Sequence, residues 1–208
     1  MSKQLAFYFD ASACSGCKVC SIACKSKNNL PVDITWRKVY EYGGGTWVED
    51  PLDPRFMRPN VYAYAVSVAC MHCSNPVCLQ VCPAAAITKD ENGIVEIDAD
   101  LCIGCRYCQW ACPYGAPQFD EEAKVMTKCN MCKDIVAEGE EPYCVASCVN
   151  RAMDFGDIEE LRAKYGNENA IEPLPPASIT HPSLVVTPHH DSQPSGKGTG
   201  RILDLEEV

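Results

Sequence analysis

The amino-acid sequence lacks the long apolar runs and the leader peptide that would direct a chain into or across a membrane. No uninterrupted apolar run approaches the roughly 18 to 20 residues that a membrane helix needs. The N-terminus, MSKQLAFYFDASACSGC, contains neither the apolar core nor the cleavage site of a secretory signal. We therefore expect a soluble chain that nothing in its own sequence exports, although a membrane-bound partner is compatible with this composition.

Excess positive charge is also missing. The chain has 18 Lys and Arg residues against 28 Asp and Glu residues, which gives a formal net charge of -10. Binding to nucleic acid depends on clustered cations that neutralise phosphates, so the composition argues against a general nucleic-acid binder. No nucleophile-base pair, phosphate loop or flavin fingerprint stands out either, and we expect no catalytic residue in this chain.

Cysteine, by contrast, is abundant. The sequence has 16 cysteines among 208 residues, a density that approaches that of small secreted disulfide scaffolds. A chain of this length buries enough apolar surface to fold without cross-links. The cysteines are therefore expected to serve a purpose other than holding a small fold together.

The cysteines form four blocks of four, with none left over. The first block holds Cys14, Cys17, Cys20 and Cys24, the second Cys70, Cys73, Cys78 and Cys82, the third Cys102, Cys105, Cys108 and Cys112, and the fourth Cys129, Cys132, Cys144 and Cys148. The first and third blocks share the pattern C-x-G-C-x-x-C-x-x-x-C. Each follows a strand-like lead that contains an aspartate, FYFDASAC and VEIDADLC, and this similarity indicates an internal repeat.

These cysteines could form disulfides, bind zinc or ligate iron-sulfur clusters. Disulfides are disfavoured because two-residue gaps are too short for easy bridging and no secretory signal is present. Zinc usually takes two C-x2-C pairs about a dozen or more residues apart, which suits only the fourth block. The first and third blocks have the spacing of iron-sulfur ferredoxins, in which the last cysteine ligates the other cluster of a pair. The spacing therefore favours 4Fe-4S clusters, with a zinc-organised interaction protein as the alternative.

Local patterns predict an α+β protein of small hairpins and short helices around the clusters. The Asn92-Gly93 pair predicts a hairpin within residues 86–98, and alternating apolar residues predict a strand within 60–70. The segment DIEELRAKYG, residues 157–166, is typical of a helix that ends at its glycine.

The blocks also suggest how the chain is divided. We expect one two-cluster, ferredoxin-like module to comprise residues 1–24 and 114–170, and a second to comprise residues 60–113. Residues 25–59 would be an insertion. The proline-rich residues 171–208 show no periodicity and are expected to run extended across a partner subunit.

These motifs resemble those of the four-cluster, ferredoxin-like electron-transfer subunits of the molybdopterin oxidoreductases, especially the iron-sulfur subunits of bacterial dimethyl sulfoxide reductases. The likeness covers nearly the whole chain and rests on CSGCKVCSIACK, RKVYEYGGGTW, CIGCRYCQWACPYGAPQF, MTKCNMC, AMDFG and EPLPPA. Two positions depart from the C-P pairs seen elsewhere in the chain: Val149 follows Cys148, and Lys25 follows Cys24. Neither departure removes a ligand.

The resemblance implies four 4Fe-4S clusters, with the first block paired with the fourth and the second with the third. Combined with the crossed ligation of two-cluster ferredoxins, it assigns every cysteine to a cluster. The first cluster would take Cys14, Cys17, Cys20 and Cys148, its mate Cys24, Cys129, Cys132 and Cys144, the third Cys70, Cys73, Cys78 and Cys112, and the fourth Cys82, Cys102, Cys105 and Cys108.

The resemblance also implies a function. Such a subunit relays electrons from a membrane-integral, quinol-oxidising subunit to a molybdopterin catalytic subunit during anaerobic respiration, and breaks no substrate bond itself. Dimethyl sulfoxide would be the terminal substrate, with tetrathionate, polysulfide, nitrite and selenate systems as alternatives. A catalytic partner with a twin-arginine leader would carry the folded subunit to the periplasmic face of a bacterial inner membrane. Electrons would enter at the fourth cluster and leave at the first.

Several residues near the blocks invite interpretation. His72 is expected to form hydrogen bonds or to lie at the surface, because its block already has four cysteines, and His189 and His190 are expected to be solvated. Tyr107 and Trp110 are expected to pack over a cluster and exclude water. Four cations beside cysteines could raise a reduction potential through charge and hydrogen bonds. These are Lys18, Arg106, Lys128 and Lys133.

Overall fold

The computed structural model describes residues 3–205, which form the predicted α+β fold. The strands are β1 (Leu5–Asp10), β2 (Lys38–Gly44), β3 (Trp47–Glu49), β4 (Met57–Pro59), β5 (Tyr62–Val68), β6 (Ile87–Lys89), β7 (Val95–Ile97), β8 (Gln118–Asp120), β9 (Val125–Thr127), β10 (Met153–Asp157), β11 (Leu184–Thr187) and β12 (Arg201–Ile202). The helices are α1 (Val19–Lys27), α2 (Val77–Gln80), α3 (Tyr107–Ala111), α4 (Lys133–Ala137), α5 (Tyr143–Ala146) and α6 (Ile158–Tyr165). Residues 1–2 of the predicted first module and 206–208 of the predicted tail lie outside the described residues.

The first sheet has the order β10-β1-β11, with β1 antiparallel to β10 and parallel to β11. Strand β1 is apolar along most of its length because both of its faces are covered. Phe7 and Phe9 point into the main core, whereas Ala6 and Tyr8 pack with Leu161 of α6. The alternation of side chains along a strand produces this division.

Three predicted elements are confirmed. Strand β5 occupies the segment predicted at 60–70 and pairs with β2, which in turn pairs with β12. The hairpin predicted at 86–98 is β6-β7, and Gly93 adopts a φ of +80° in its turn. Helix α6 ends at Gly166, and its N-cap Asp157 accepts a hydrogen bond from the backbone N–H of Glu159. Two further hairpins, β3-β4 and β8-β9, complete the sheet structure.

The C-terminal segment is more integrated than expected. Residues Leu184–Thr187 form β11 inside the chain's own first sheet, and Val185 and Val186 are almost fully buried. This stretch therefore runs extended as a strand of the chain's own sheet, because its consecutive apolar, β-branched residues suit a buried strand. Contact between the tail and a partner stays a prediction.

Candidate functional site

Each cysteine block is a tight loop that leads into or borders a short helix. The first and third blocks have the same backbone pattern, with left-handed residues at matching positions: Gly16 and Lys18 in the first, Gly104 and Arg106 in the third. The second and fourth blocks also have a left-handed residue two positions after their first cysteine. Left-handed residues turn the chain sharply, so that thiols close in sequence can face one point. Glycine adopts this conformation at little cost.

Replacing Gly104 by alanine should damage its loop more than the same change at Gly16. The φ angle is +66° at Gly104 and +70° at Gly16. A residue with a Cβ adopts this left-handed conformation at a cost of about 1–2 kcal/mol. At Gly104 the new Cβ would lie 2.5 Å from the backbone oxygen of Lys124, whereas at Gly16 the nearest atom would be 3.5 Å away. We expect Gly104→Ala to lower both the iron content and the Tm, and Gly16→Ala to retain nearly all its iron. Equal iron loss in both variants would contradict this steric explanation.

The fold brings the sixteen thiols together in four sets. Within each set, neighbouring thiols raise the pKa of the most buried members, and the first, third and fourth sets each also line a shared cavity. The first set is Cys14, Cys17, Cys20 and Cys148, the second Cys24, Cys129, Cys132 and Cys144, the third Cys70, Cys73, Cys78 and Cys112, and the fourth Cys82, Cys102, Cys105 and Cys108. Every set takes three cysteines from one block and one from another.

The sets follow one another through the molecule. The first and second sets are joined by α1, which carries Cys20 of the first and Cys24 of the second. The second and third meet where Cys129 packs with Cys70. The third and fourth share an apolar cluster that contains Cys78 and Cys108. The thiols thus form a continuous series from the first set to the fourth.

Burial makes several of the thiols hard to ionise in the chain alone. It is the largest cause that raises the pKa of Cys24 and Cys78 to about 12, and that of Cys73 and Cys108 to about 11. Neighbouring cysteines raise these pKa values further. Metal ligation requires the thiolate form, so a cationic group must displace these protons when it binds.

Backbone N–H groups point at several sulfur atoms. Met126 donates to Cys102 Sγ over 3.4 Å, Met131 to Cys129 Sγ over 3.4 Å, and Ala152 to Cys148 Sγ over 3.3 Å. Such hydrogen bonds stabilise thiolate ligands and tune the metal group that they hold. The residues around the sulfurs therefore already supply part of the environment of a thiolate-bound centre.

The sets fit a group larger than one metal ion. The first, third and fourth sets each line a small, mainly apolar cavity. A tetrahedral zinc ion with bonds of about 2.3 Å would hold its sulfurs about 3.8 Å apart. Among residues 3–205, only the ligand atoms of His189, His190 and Asp191 all lie within 4.8 Å of one another, and no cysteine set does so. All-sulfur ligands and this wider spacing fit a 4Fe-4S cluster.

His72 and the pair His189 and His190 differ in their burial and contacts. His72 is fully buried and its Nδ1 accepts a hydrogen bond of 2.9 Å from the N–H of Val95, in agreement with the predicted hydrogen-bonding role. His189 is partly buried and its ring is 5.5 Å from that of Tyr64, so only His190 is the solvated residue that the sequence predicts. The stacking on Tyr64 explains the difference.

The cations beside cysteines are of two kinds. Lys128 is buried, and its ammonium donates hydrogen bonds to the backbone oxygens of Val95 and Cys129. The other three pair with carboxylates, which offset their charge. These pairs are Lys18 with Asp204, Arg106 with Glu121, and Lys133 with Glu96 and Asp90.

The expected covering role of two aromatic residues is wrong for the isolated subunit. Trp110 is 74% exposed and Tyr107 is 52% exposed. They lie on the five-residue helix α3, whose outer face no other part of residues 3–205 covers. Arg37, in contrast, is a buried residue among the thiols that no sequence pattern indicated.

Comparison with known proteins agrees with this geometry. Residues 61–158 match the family model described as a 4Fe-4S dicluster domain. The chain is 49% identical to the B subunit of the anaerobic dimethyl sulfoxide reductase of Escherichia coli (strain K12), over the full length of both proteins. It is 36% identical to the B subunit of the polysulfide reductase of Wolinella succinogenes, covering 91% of this chain and 96% of that one. It is also 33% identical to a formate dehydrogenase iron-sulfur subunit of Haemophilus influenzae, covering 92% and 66%.

Fold and thiol sets together define an iron-sulfur electron-transfer protein that uses 4Fe-4S clusters, and its sixteen cysteines fit four of them. The protein belongs to the family of iron-sulfur subunits that includes those of the anaerobic dimethyl sulfoxide reductases. Members of this family are electron-transfer subunits rather than catalytic ones. The predicted cofactor and electron-transfer role are thereby confirmed, and the zinc alternative is set aside. Within residues 3–205, no helix has the length and apolar character needed to cross a membrane.

Proposed function

We propose that this chain carries electrons from a membrane-integral, quinol-oxidising subunit to a molybdopterin catalytic subunit that reduces dimethyl sulfoxide. The 49% identity to a dimethyl sulfoxide reductase subunit, against 36% to a polysulfide reductase subunit, supports this substrate over polysulfide. Tetrathionate, nitrite and selenate are further alternatives, because the substrate is bound by the catalytic partner.

Each of the four thiol sets is proposed to hold one 4Fe-4S cluster. A 4Fe-4S cluster, when bound, accepts and returns one electron. The cysteines hold it as thiolates, while the apolar residues around each set exclude water. The first and second sets would belong to the module formed by residues 1–24 and 114–170, and the third and fourth to residues 60–113.

The proposed electron relay rests on the continuous series of thiol sets. Because each set adjoins the next, an electron that enters at one end can pass along the whole series without leaving the protein. The two ends are the first and fourth sets. Beside the fourth, Leu101, Ile103 and Trp110 are exposed, and such apolar residues on a surface support a docking site for another subunit. We assign that end to the quinol-oxidising partner.

The catalytic partner is proposed to determine where the chain is located. We propose that it carries this chain to the periplasmic face of the inner membrane through its own twin-arginine leader. In cells that produce all three subunits, membranes should yield a brown complex that contains this chain and oxidises quinol with dimethyl sulfoxide. In cells without the catalytic subunit, fractionation should recover the chain from the cytoplasm. Export of the chain alone would refute the location, and a complex inactive with dimethyl sulfoxide but active with tetrathionate would refute the substrate.

A further inference from the structure

A guanidinium group is buried between the first two thiol sets. Arg37 directly precedes β2 and is only 3% exposed, and its guanidinium carbon lies 4.6 Å from the centre of the Phe7 ring. Its Nη1 donates a hydrogen bond of 3.1 Å to Ser67 Oγ, and this oxygen lies 3.6 Å from the sulfur of Cys20. Arg37 therefore reaches the first set through a single serine.

Thiols rather than carboxylates are the titratable groups that interact most strongly with the Arg37 guanidinium. Four cysteines lie close enough to it for an electrostatic interaction. In order of their influence these are Cys144, Cys20, Cys129 and Cys24. Three of the four belong to the second set, so the guanidinium acts mainly on that set.

Two of the three side-chain nitrogen atoms of Arg37 have no acceptor among residues 3–205. These are the buried Nε and Nη2, which together carry three N–H groups. A buried cation with unpaired donors is strongly unfavourable in a chain on its own. The arrangement calls for an anion with hydrogen-bond acceptors beside the guanidinium, and a cluster held by four thiolates has both the charge and the sulfur atoms.

We propose that Arg37 raises the reduction potential of the cluster held by the second thiol set and, to a smaller extent, that of the first. The inference rests on the proposed cluster ligation. Taking up one electron adds one negative charge to a cluster, and a fixed cation beside it favours that uptake. Hydrogen bonds from Nε and Nη2 to sulfur act in the same direction. Arg37 itself is neither oxidised nor reduced.

Redox titration of the purified complex, followed by EPR, tests this inference. In Arg37→Gln the reduction equilibrium constant of the second cluster should fall at least tenfold, which corresponds to about 59 mV for a one-electron couple. The component that belongs to this cluster is identified by its absence in a Cys132→Ser complex. The first cluster should shift less, and the third and fourth should keep their potentials.

Lys38→Gln is the matched control, because it removes one positive charge at the next position. The pKa of Lys38 is lowered by burial, with no cysteine among the causes, so this variant should keep all four potentials. Arg37→Lys keeps the charge but loses the planar set of donors, and should shift the second cluster in the same direction by less. If the Arg37→Gln complex does not assemble, the redox titration of the Arg37→Lys complex tests the inference in its place. Unchanged potentials in an Arg37 variant that retains its iron would overturn the inference, and so would an equal shift in Lys38→Gln. Failure to find four 4Fe-4S components in the unaltered complex would instead overturn the proposed ligation.

Discussion

Changing Cys112 to serine is expected to remove the cluster of the third thiol set and to spare that of the fourth, although Cys112 belongs to the block that supplies most of the fourth. The reason is the crossed arrangement of the fold. Cys112 is the C-cap of α3, one helical turn after Cys108, and it lines the cavity of Cys70, Cys73 and Cys78. Serine oxygen is a poorer ligand for iron than thiolate sulfur. One cluster of four should be lost or reduced to a three-iron form.

EPR spectra of a small set of variants measure which cluster is affected. Cys73→Ser and Cys105→Ser serve as references, because their positions inside a block leave no doubt about the set to which each belongs. The spectrum of Cys112→Ser should match that of Cys73→Ser. Cys82→Ser is the reciprocal control and should match Cys105→Ser. The opposite pairing would mean that each block holds its own cluster, and the crossed assignment would then be wrong.

Spacing in the sequence was sufficient to predict the parts of the site that depend on local geometry. The four blocks, the internal repeat and the hairpin at Asn92-Gly93 follow from residues within a few positions of one another. Pairing between distant blocks needed the family resemblance, because spacing alone cannot specify which loops of a chain meet. The fold brings together the same four sets of cysteines, and the cysteine-to-serine variants test whether these sets ligate four separate clusters.

Arg37 shows why the remainder of the site could not be predicted. It lies in the segment expected to be a mere insertion, and its neighbours Ser67 and Cys144 come from distant parts of the chain. Its burial depends on the packing of β2 against β5, which no local pattern encodes. Trp110 is the opposite case, a residue that a local pattern indicated but that the structure exposes. Its closeness to Cys108 in sequence suggested that it covers the cluster, but residues close in sequence on a short surface helix can face solvent.

Changing Cys102 to serine is expected to stop quinol-driven reduction of the substrate while reduction driven by a soluble dye persists. Cys102 is partly buried, lies with Cys82, Cys105 and Cys108, and accepts a hydrogen bond from the N–H of Met126. Loss of this ligand should disturb the fourth cluster only, since the other three sets keep all their thiols. A dye that donates directly to the catalytic subunit does not need the relay. Both activities are measured on an assembled, molybdenum-loaded complex.

The direction of transfer is tested by comparing Cys102→Ser with Cys17→Ser, which alters the opposite end of the series. After quinol is added to Cys17→Ser, the second, third and fourth clusters should show the same reduction as in the unaltered complex, because the entry end is intact. In Cys102→Ser the same quinol should reduce none of the remaining clusters. If quinol still reduced the first three clusters of Cys102→Ser, electrons would enter elsewhere and the assigned direction would be wrong. Loss of dye-driven activity in the loaded Cys102→Ser complex would contradict it as well, since the dye path does not include the fourth set.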